Sequence, residues 1–384
     1  MGAVALICEY NPFHKGHKYQ AELIKSTYPD KALVCIMSGN FVQRGGIACA
    51  DKYTRAKAAL LNGCDLVLEM IPPFCMSTAE SFASAGVSIA SRLEGADTLA
   101  FGSECGDAAT LRRYAETISS DIFLKRMREL VEENPSLSYP IIREKCLAEH
   151  GLDPAFVRTP NNILGIEYLK AVIDRRSDGL SVFTHKRLGG LLSASEIRDK
   201  LSRENIFDDL PKASACIFRE AEKEKIFPVS PEALSNAVLY ALRRTSPEEL
   251  SRFEGCRGLE YRIKAEAEKA SDINGLISSL SSKNYPSSRV RRAIYSAFLG
   301  IENEHLKEEP AYTNVLAFNE KGREFLSEIR KTSRIKIFTK PSAPLKDEDE
   351  KIRAQAQRAA FYDSLYSLAM GKEGGYFLKK SCFK

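Results

Sequence analysis

Along the first half of the chain, short apolar runs rich in β-branched residues alternate with longer stretches in which apolar positions recur every three or four residues. The runs at 3–8, 32–37, 65–70, 97–101 and 180–184 have the length and content of strands. Helical spacing falls between them, at 18–26, 53–61, 79–92, 108–118 and 163–173. This alternation predicts a parallel sheet covered by helices, so residues 1–200 read as one α/β, doubly wound, Rossmann-like domain.

The pattern changes twice. Residues 121–150 are charged and helical, with breaks at Asn134-Pro135 and Tyr139-Pro140, and are expected outside the sheet as a cap or partner surface. From residue 201 to 384 the spacing is amphipathic and helical, bounded by Pro211, Pro228, Pro231 and Pro247, which predicts a mainly helical second domain. Within it lie one possible strand at 334–338, a charged helix at 347–368 and a basic tail at Lys379, Lys380 and Lys384. No internal repeat or low-complexity segment is present.

At 384 residues the chain exceeds what one hydrophobic core usually supports, in keeping with two domains. Its 44% hydrophobic and 28% charged residues exclude disordered, collagen-like and coiled-coil classes. The N-terminus has no basic leader and its apolar run is too short for a signal peptide or membrane span, so a cytoplasmic protein without membrane contact is expected. Ten cysteines without a CxxC pair form neither a disulfide framework nor a zinc pattern. A net charge of +5 permits a nucleotide or RNA partner without requiring one, and no obligate protein partner is evident.

The most specific chemistry lies at Glu9-Tyr10-Asn11-Pro12-Phe13-His14-Lys15-Gly16-His17, directly after the first strand and opening the first helix. Ligands of doubly wound sheets bind beyond the carboxyl ends of the strands, where a helix N-terminus favours phosphate. Two imidazoles flanking a Lys-Gly turn supply donors to a triphosphate, and Gly16 lets the backbone approach. His14, His17 and Lys15 are therefore the candidate catalytic residues. An HxxH pair also reads as half a metal site, but two of only five histidines lie here and no third ligand is suggested, so no metal is assigned.

With this segment the sequence resembles the HIGH-motif nucleotidyltransferases, in which a His-x-Gly-His element after the first strand binds ATP. A second element of that superfamily, a Ser/Thr-rich segment bearing Arg after the last strand, is matched by Ser193-Ala194-Ser195-Glu196-Ile197-Arg198. The likeness narrows to the bacterial tRNA(Met) cytidine acetate ligases. It is carried by CEYNPFHKGH, MSGNFVQRG at 37–45, FGSE at 101–104, PNNILGIEYL at 160–169, GLEYRI at 258–263, SSRVRRAIYSAFLGI at 287–301 and VLAFNEKGREFL at 315–326.

The resemblance implies that ATP, with Mg²⁺, and acetate form acetyl-adenylate and pyrophosphate. The acetyl group then passes to N4 of the wobble cytidine of elongator tRNA(Met). It further implies an ATP site made of Ile7, Cys8, Glu9, Tyr10, Asn11, Pro12, Phe13, Gly16, Gly102, one of Asn161 and Asn162, Arg187, Ser195 and Arg198. The chain departs from the family pattern between Arg187 and Ser193, where only Leu188-Gly189-Gly190-Leu191-Leu192 stands in place of a longer glycine-rich stretch. A small-molecule adenylyltransferase and a non-catalytic RNA-binding protein on the same fold are the alternatives.

The remaining signals are read from the residues. Gly39, Gly45 and Gly46 bracket Gln43-Arg44 in what reads as a mobile loop whose Arg contacts phosphate or the acid. One of Asn161 and Asn162 reads as the N-cap of the helix after Pro160. Arg289, Arg291 and Arg292 lie with Tyr285 and Tyr295 in a stretch without acidic residues, which suits RNA phosphates and stacked bases. Cys105 is set aside as an acyl carrier, because an acyl-adenylate needs no thiol relay.

Overall fold

A computed structural model describes residues 1–175, 179–201 and 205–384. Seven strands, β1 (Ala3–Cys8), β2 (Ala32–Ser38), β3 (Leu66–Met70), β4 (Ala96–Ser103), β5 (Ser181–Lys186), β6 (Tyr312–Phe318) and β7 (Lys336–Phe338), form one sheet in the order β5-β4-β1-β2-β3-β6-β7. The first five are parallel, with Leu6 opposite Cys35 and Ala100 across the central pairs. Every residue of β2 and β3 is buried, which requires cover on both faces and explains their continuous apolar sequence. Helices α1 (Lys15–Thr27), α2 (Lys52–Leu60), α3 (Ala79–Ala90), α4 (Ala108–Ser119), α5 (Asp121–Glu133), α6 (Tyr139–Glu149), α7 (Pro160–Asp174) and α8 (Ala194–Lys200) accompany this half. α5 and α6, the helices of the charged insertion, pair as a hairpin that packs on α4.

After β3 the chain crosses to the other side of β1 to form β4. The switch point of the sheet therefore falls between β1 and β4, and the crevice beyond their carboxyl ends is the expected ligand position.

Helices α9 (Lys212–Lys223), α10 (Ser235–Arg244), α11 (Pro247–Leu250), α12 (Glu260–Lys269), α13 (Ile273–Leu280) and α14 (Ser287–Leu299) follow, and the last five pack on one another. The sheet does not stop near residue 200 as the sequence pattern suggested. β6 pairs antiparallel with β3, β7 pairs parallel with β6 at the edge, and α15 (Glu320–Ile329) packs on β2 and β3. Buried polar groups fix this return. Asn314 Nδ2 donates to Glu69 Oε2 at 2.9 Å, and Lys52 Nζ lies 2.6 Å from both Glu69 and Asp363, the latter on α16 (Glu350–Ala369). Lys52 and Glu69 are each 2% exposed, so their charges persist only because they are paired. Burial alone would lower the Lys52 pKa, but the Asp363 and Glu69 carboxylates outweigh it and raise the value.

Candidate nucleotide site

α1 begins inside the histidine motif, three residues before the apolar spacing indicated. His14 is its N-cap, and its Nδ1 accepts from the Gly16 N–H at 3.0 Å. His17 Nδ1 accepts from the His14 N–H at 3.3 Å, completing a reciprocal capping box built from two imidazoles. The rings stack with centroids 3.7 Å apart. An Nδ1 that accepts a backbone hydrogen bond carries no proton, so each neutral ring bears its hydrogen on Nε2. Burial, with the charges of Arg187 and Arg198, lowers the His14 pKa to about 4. Burial, with His14 and Arg187, likewise holds His17 well below its ordinary value. At neutral pH the pair is thus two uncharged Nε2–H donors.

Gly16 makes room for this arrangement. A Cβ there would lie 2.9 Å from His14 Cε1, and its N–H is already taken by His14. Lys15 points elsewhere, its ammonium donating to the Asp208 carbonyl at 2.7 Å. Ile7, Tyr10 and Phe13, expected around ATP, are core side chains, with Phe13 fully buried and the Tyr10 hydroxyl 3.4 Å from Cys35 Sγ. Pro12 is buried too, and Cys8 is half-buried at the end of β1. Asn11 Oδ1 accepts from the Cys49 N–H at 2.8 Å, and Glu9 Oε1 from the Gln43 N–H at 2.7 Å.

The two distant motifs meet directly. Arg198 Nη1 donates to the Asn11 carbonyl at 2.6 Å, bringing α8 onto the histidine segment. Ser193 is the N-cap of α8, in a capping box with Glu196, whereas Ser195 is exposed and caps nothing. Arg187 is exposed just beyond β5. Its N–H donates to the Ser103 carbonyl at 3.1 Å, and a Cβ on Gly102 would lie 3.3 Å from its Cγ. His14, His17, Gly102, Arg187 and Arg198 therefore surround the carboxyl ends of β1, β4 and β5.

The two asparagines correct the sequence reading. Thr159 is the N-cap of α7, and Asn161 and Asn162 lie inside the helix. Glu104 reaches across from the end of β4. Its carboxylate accepts from the Asn161 N–H and Nδ2 at 3.2 and 2.6 Å and from the Asn162 N–H at 2.7 Å. Asn162 is 4% exposed, and its Oδ1 accepts from the Glu104 and Cys105 N–H groups at 3.1 Å each. Its side chain holds the turn after β4. Burial pushes the Glu104 carboxyl up, but these donors outweigh it and lower its pKa.

Two residues that sequence reasoning missed complete the frame. Arg55 is fully buried and donates to the carbonyls of Ala50, Glu9, Ser38 and Gly39, tying the ends of β1 and β2 together. His185 lies between Tyr19 and Gly102, and burial together with the Arg187 charge lowers its pKa. Neither sits in a sequence pattern that marks it. The loop expected to be mobile is clamped by Gln43 on one side and α14 on the other.

The basic helix is likewise closer than its place in the sequence suggests. A Cβ on Gly45 would lie 2.8 Å from the Arg291 carbonyl carbon, so α14 packs on the loop after β2. Arg291 is exposed and Arg289 lies 4.8 Å over the Tyr285 ring. Arg292 is half-buried, with burial lowering and Glu254 raising its pKa, and its Nε is buried without a partner. Tyr295 is 2% exposed and unable to stack on a base. Among the described residues no three His, Cys, Asp or Glu side chains converge as a metal site, and no helix is long and apolar enough to cross a membrane.

A parallel sheet with a neutral histidine pair capping the helix after β1 and an arginine delivered from after β5 defines a HIGH-type nucleotidyltransferase, and the model of the HIGH Nucleotidyl Transferase family matches residues 1–374. The tRNA(Met) cytidine acetate ligase of Acetivibrio thermocellus is 35% identical over 95% of this chain and 94% of its own. The enzyme of that name from Caldanaerobacter subterraneus is 36% identical over 96% of each. The structure of Thermotoga maritima TmcAL bound with alpha-thio ATP superposes with a TM-score of 0.92 at 28% identity, covering 100% of this chain and 99% of that one. The chain belongs to the tRNA(Met) cytidine acetate ligase family of HIGH nucleotidyltransferases.

Proposed function

We propose that the protein is an ATP-dependent ligase of the cytoplasm that activates acetate and transfers the acetyl group to elongator tRNA(Met). The observation that carries the first step is the Arg198–Asn11 contact, which joins the two halves of an ATP site around His14 and His17. An acetate oxygen attacks the α-phosphorus, the bond to the bridging oxygen breaks, and pyrophosphate leaves. The Nε2–H groups of His14 and His17 donate to the phosphate oxygens on which charge develops, and Arg187 and Arg198 offset the charge of the departing pyrophosphate. Neutral rings suit this role, since the Nδ1 atoms are committed to the helix cap and the Nε2–H atoms are not. Mg²⁺ accompanies the ATP phosphates, which supply its oxygen ligands. In the second step N4 of the wobble cytidine attacks the acetyl carbon, the bond to AMP breaks, and N4 loses a proton.

The tRNA is held by Arg289 and Arg291 on α14, where basic charge stands beside a partly exposed Tyr285. The test is pyrophosphate exchange driven by a panel of short carboxylic acids, with acetyl transfer to bulk tRNA measured beside it. Acetate-dependent exchange together with acetylated tRNA(Met) is the expected result. Exchange with no RNA product would rule out the second step, and no exchange with any acid would rule out both.

A further inference from the structure

The loop after β2 is fixed at two points. Gln43 donates its N–H to Glu9 Oε1 at 2.7 Å and its Nε2 to the Ser77 carbonyl at 3.2 Å, attaching one end to the segment that follows β1. Gly45, with φ of 79°, presses on the backbone of α14 where a Cβ would lie 2.9 Å from Arg291 Cβ. The turn is closed by Val42 N–H to Gly46 O at 3.1 Å and Gly45 N–H to Val42 O at 3.0 Å, and Phe41 meets the Tyr295 ring edge to face at 6.4 Å.

Arg44 stands between these anchors. It is exposed, whereas Phe41, Val42, Gly45 and Gly46 are buried, and its guanidinium makes no hydrogen bond or ion pair among the described residues. Arg291, against whose backbone Gly45 packs, is also exposed and makes none. Glu254 acts on Arg292 and Arg289, and Glu232 on Tyr295. The turn that carries this exposed cation therefore joins the basic helix, through Gly45, to the histidine segment, through Gln43.

We propose that Arg44 binds a backbone phosphate of RNA where the basic face of α14 meets the nucleotide site, with Arg291 and Arg289 taking phosphates further along the same strand. The inference rests on the tRNA reading above. A guanidinium fork matches phosphate bidentately, and holding it on a clamped turn removes most of the ordering cost from the binding step. A loop whose Gln43 touches Glu9 sets the RNA strand in register with the adenylate, which an arginine on a floppy loop would not do.

The experiment uses the full chain with Arg44→Gln and Arg44→Lys, measuring acetate-dependent pyrophosphate exchange, acetyl transfer at limiting tRNA, and direct binding of bulk tRNA across a salt series. The glutamine variant should keep exchange, lose about tenfold or more in transfer, as expected for one charge-assisted contact, and flatten the log–log salt slope of binding by about 0.7–0.9. The lysine variant should restore the slope but only part of the transfer rate, because it keeps the charge and loses the fork. An unchanged slope and unchanged transfer would overturn the proposal. So would loss of exchange in step with transfer, which would make Arg44 a nucleotide or acetate contact. A wild-type protein that binds tRNA with the predicted slope contribution but never acetylates it would refute the proposed ligase activity and leave the Arg44 contact standing.

Discussion

His14 does two separable things, and substitution should pull them apart. Its Nδ1 caps α1 through the Gly16 N–H, and its Nε2–H is the group proposed to meet phosphate. Loss of an N-cap costs about 1 kcal/mol, within 0.5–2. Loss of one donor to a charge-developing oxygen costs about 2.7–4 kcal/mol of transition-state stabilisation, or about 10²–10³ in rate. His14→Ala removes both, together with the stack on His17 at 3.7 Å. Asparagine is itself a good N-cap whose Oδ1 takes the place of Nδ1, so His14→Asn should regain about 1 kcal/mol of stability over the alanine variant. It places no donor where Nε2 stood, and exchange should remain down by about 10²–10³ in both variants. Stability is read from chemical denaturation and chemistry from pyrophosphate exchange at saturating ATP and acetate. Exchange in His14→Asn near the wild-type rate would refute the donor role. Exchange that falls in proportion to lost stability across the two variants would show that the histidine matters only as a cap.

The depressed pKa of His14 carries a pH signature. The unfolded chain takes up a proton near pH 6.5 that the native ring refuses until about pH 4, so this contribution is intact above pH 6.5 and is lost as pH falls toward 4. Wild type should therefore lose stability relative to His14→Asn across that window, and parallel acid titrations would refute the buried neutral ring. Glu104→Gln replaces a pure acceptor by a group whose amide faces the donors of Asn161 and Asn162, and should cost about 1.5–3 kcal/mol in denaturation. Lys52→Met leaves the buried Glu69 and the half-buried Asp363 without their cation and should cost about 3–5 kcal/mol, releasing the C-terminal segment to limited proteolysis. Purified protein should contain no stoichiometric zinc by elemental analysis, because the two histidine Nδ1 atoms are committed to backbone donors.

The sequence alone determined the parallel sheet and the location of its ligand crevice. Apolar runs of five or six residues alternating with helical spacing are a local signature, and β1 to β5 fall on them within a few residues. The histidine motif and the Ser193–Arg198 motif were legible for the same reason, since each is a helix start whose chemistry is contiguous. Tertiary structure decided what depends on contacts between remote segments. β6 had an ordinary apolar sequence, and only Asn314, meeting the buried Glu69 that Lys52 pairs, shows why it returns to the sheet beside β3. One of Asn161 and Asn162 looked like a cap because nothing local reveals that Glu104 arrives from 57 residues away to accept from the first turn of the helix. Tyr10 and Phe13 looked like part of a ligand motif by their neighbours in sequence, yet burial turned them inward. The turn that carries Arg44 and the helix that carries Arg291, separated by more than half the chain, meet closely because Gly45 has no side chain to hold α14 away. Spacing along a chain encodes periodic burial, whereas the pairing of buried polar groups is set by the packed geometry that brings them together.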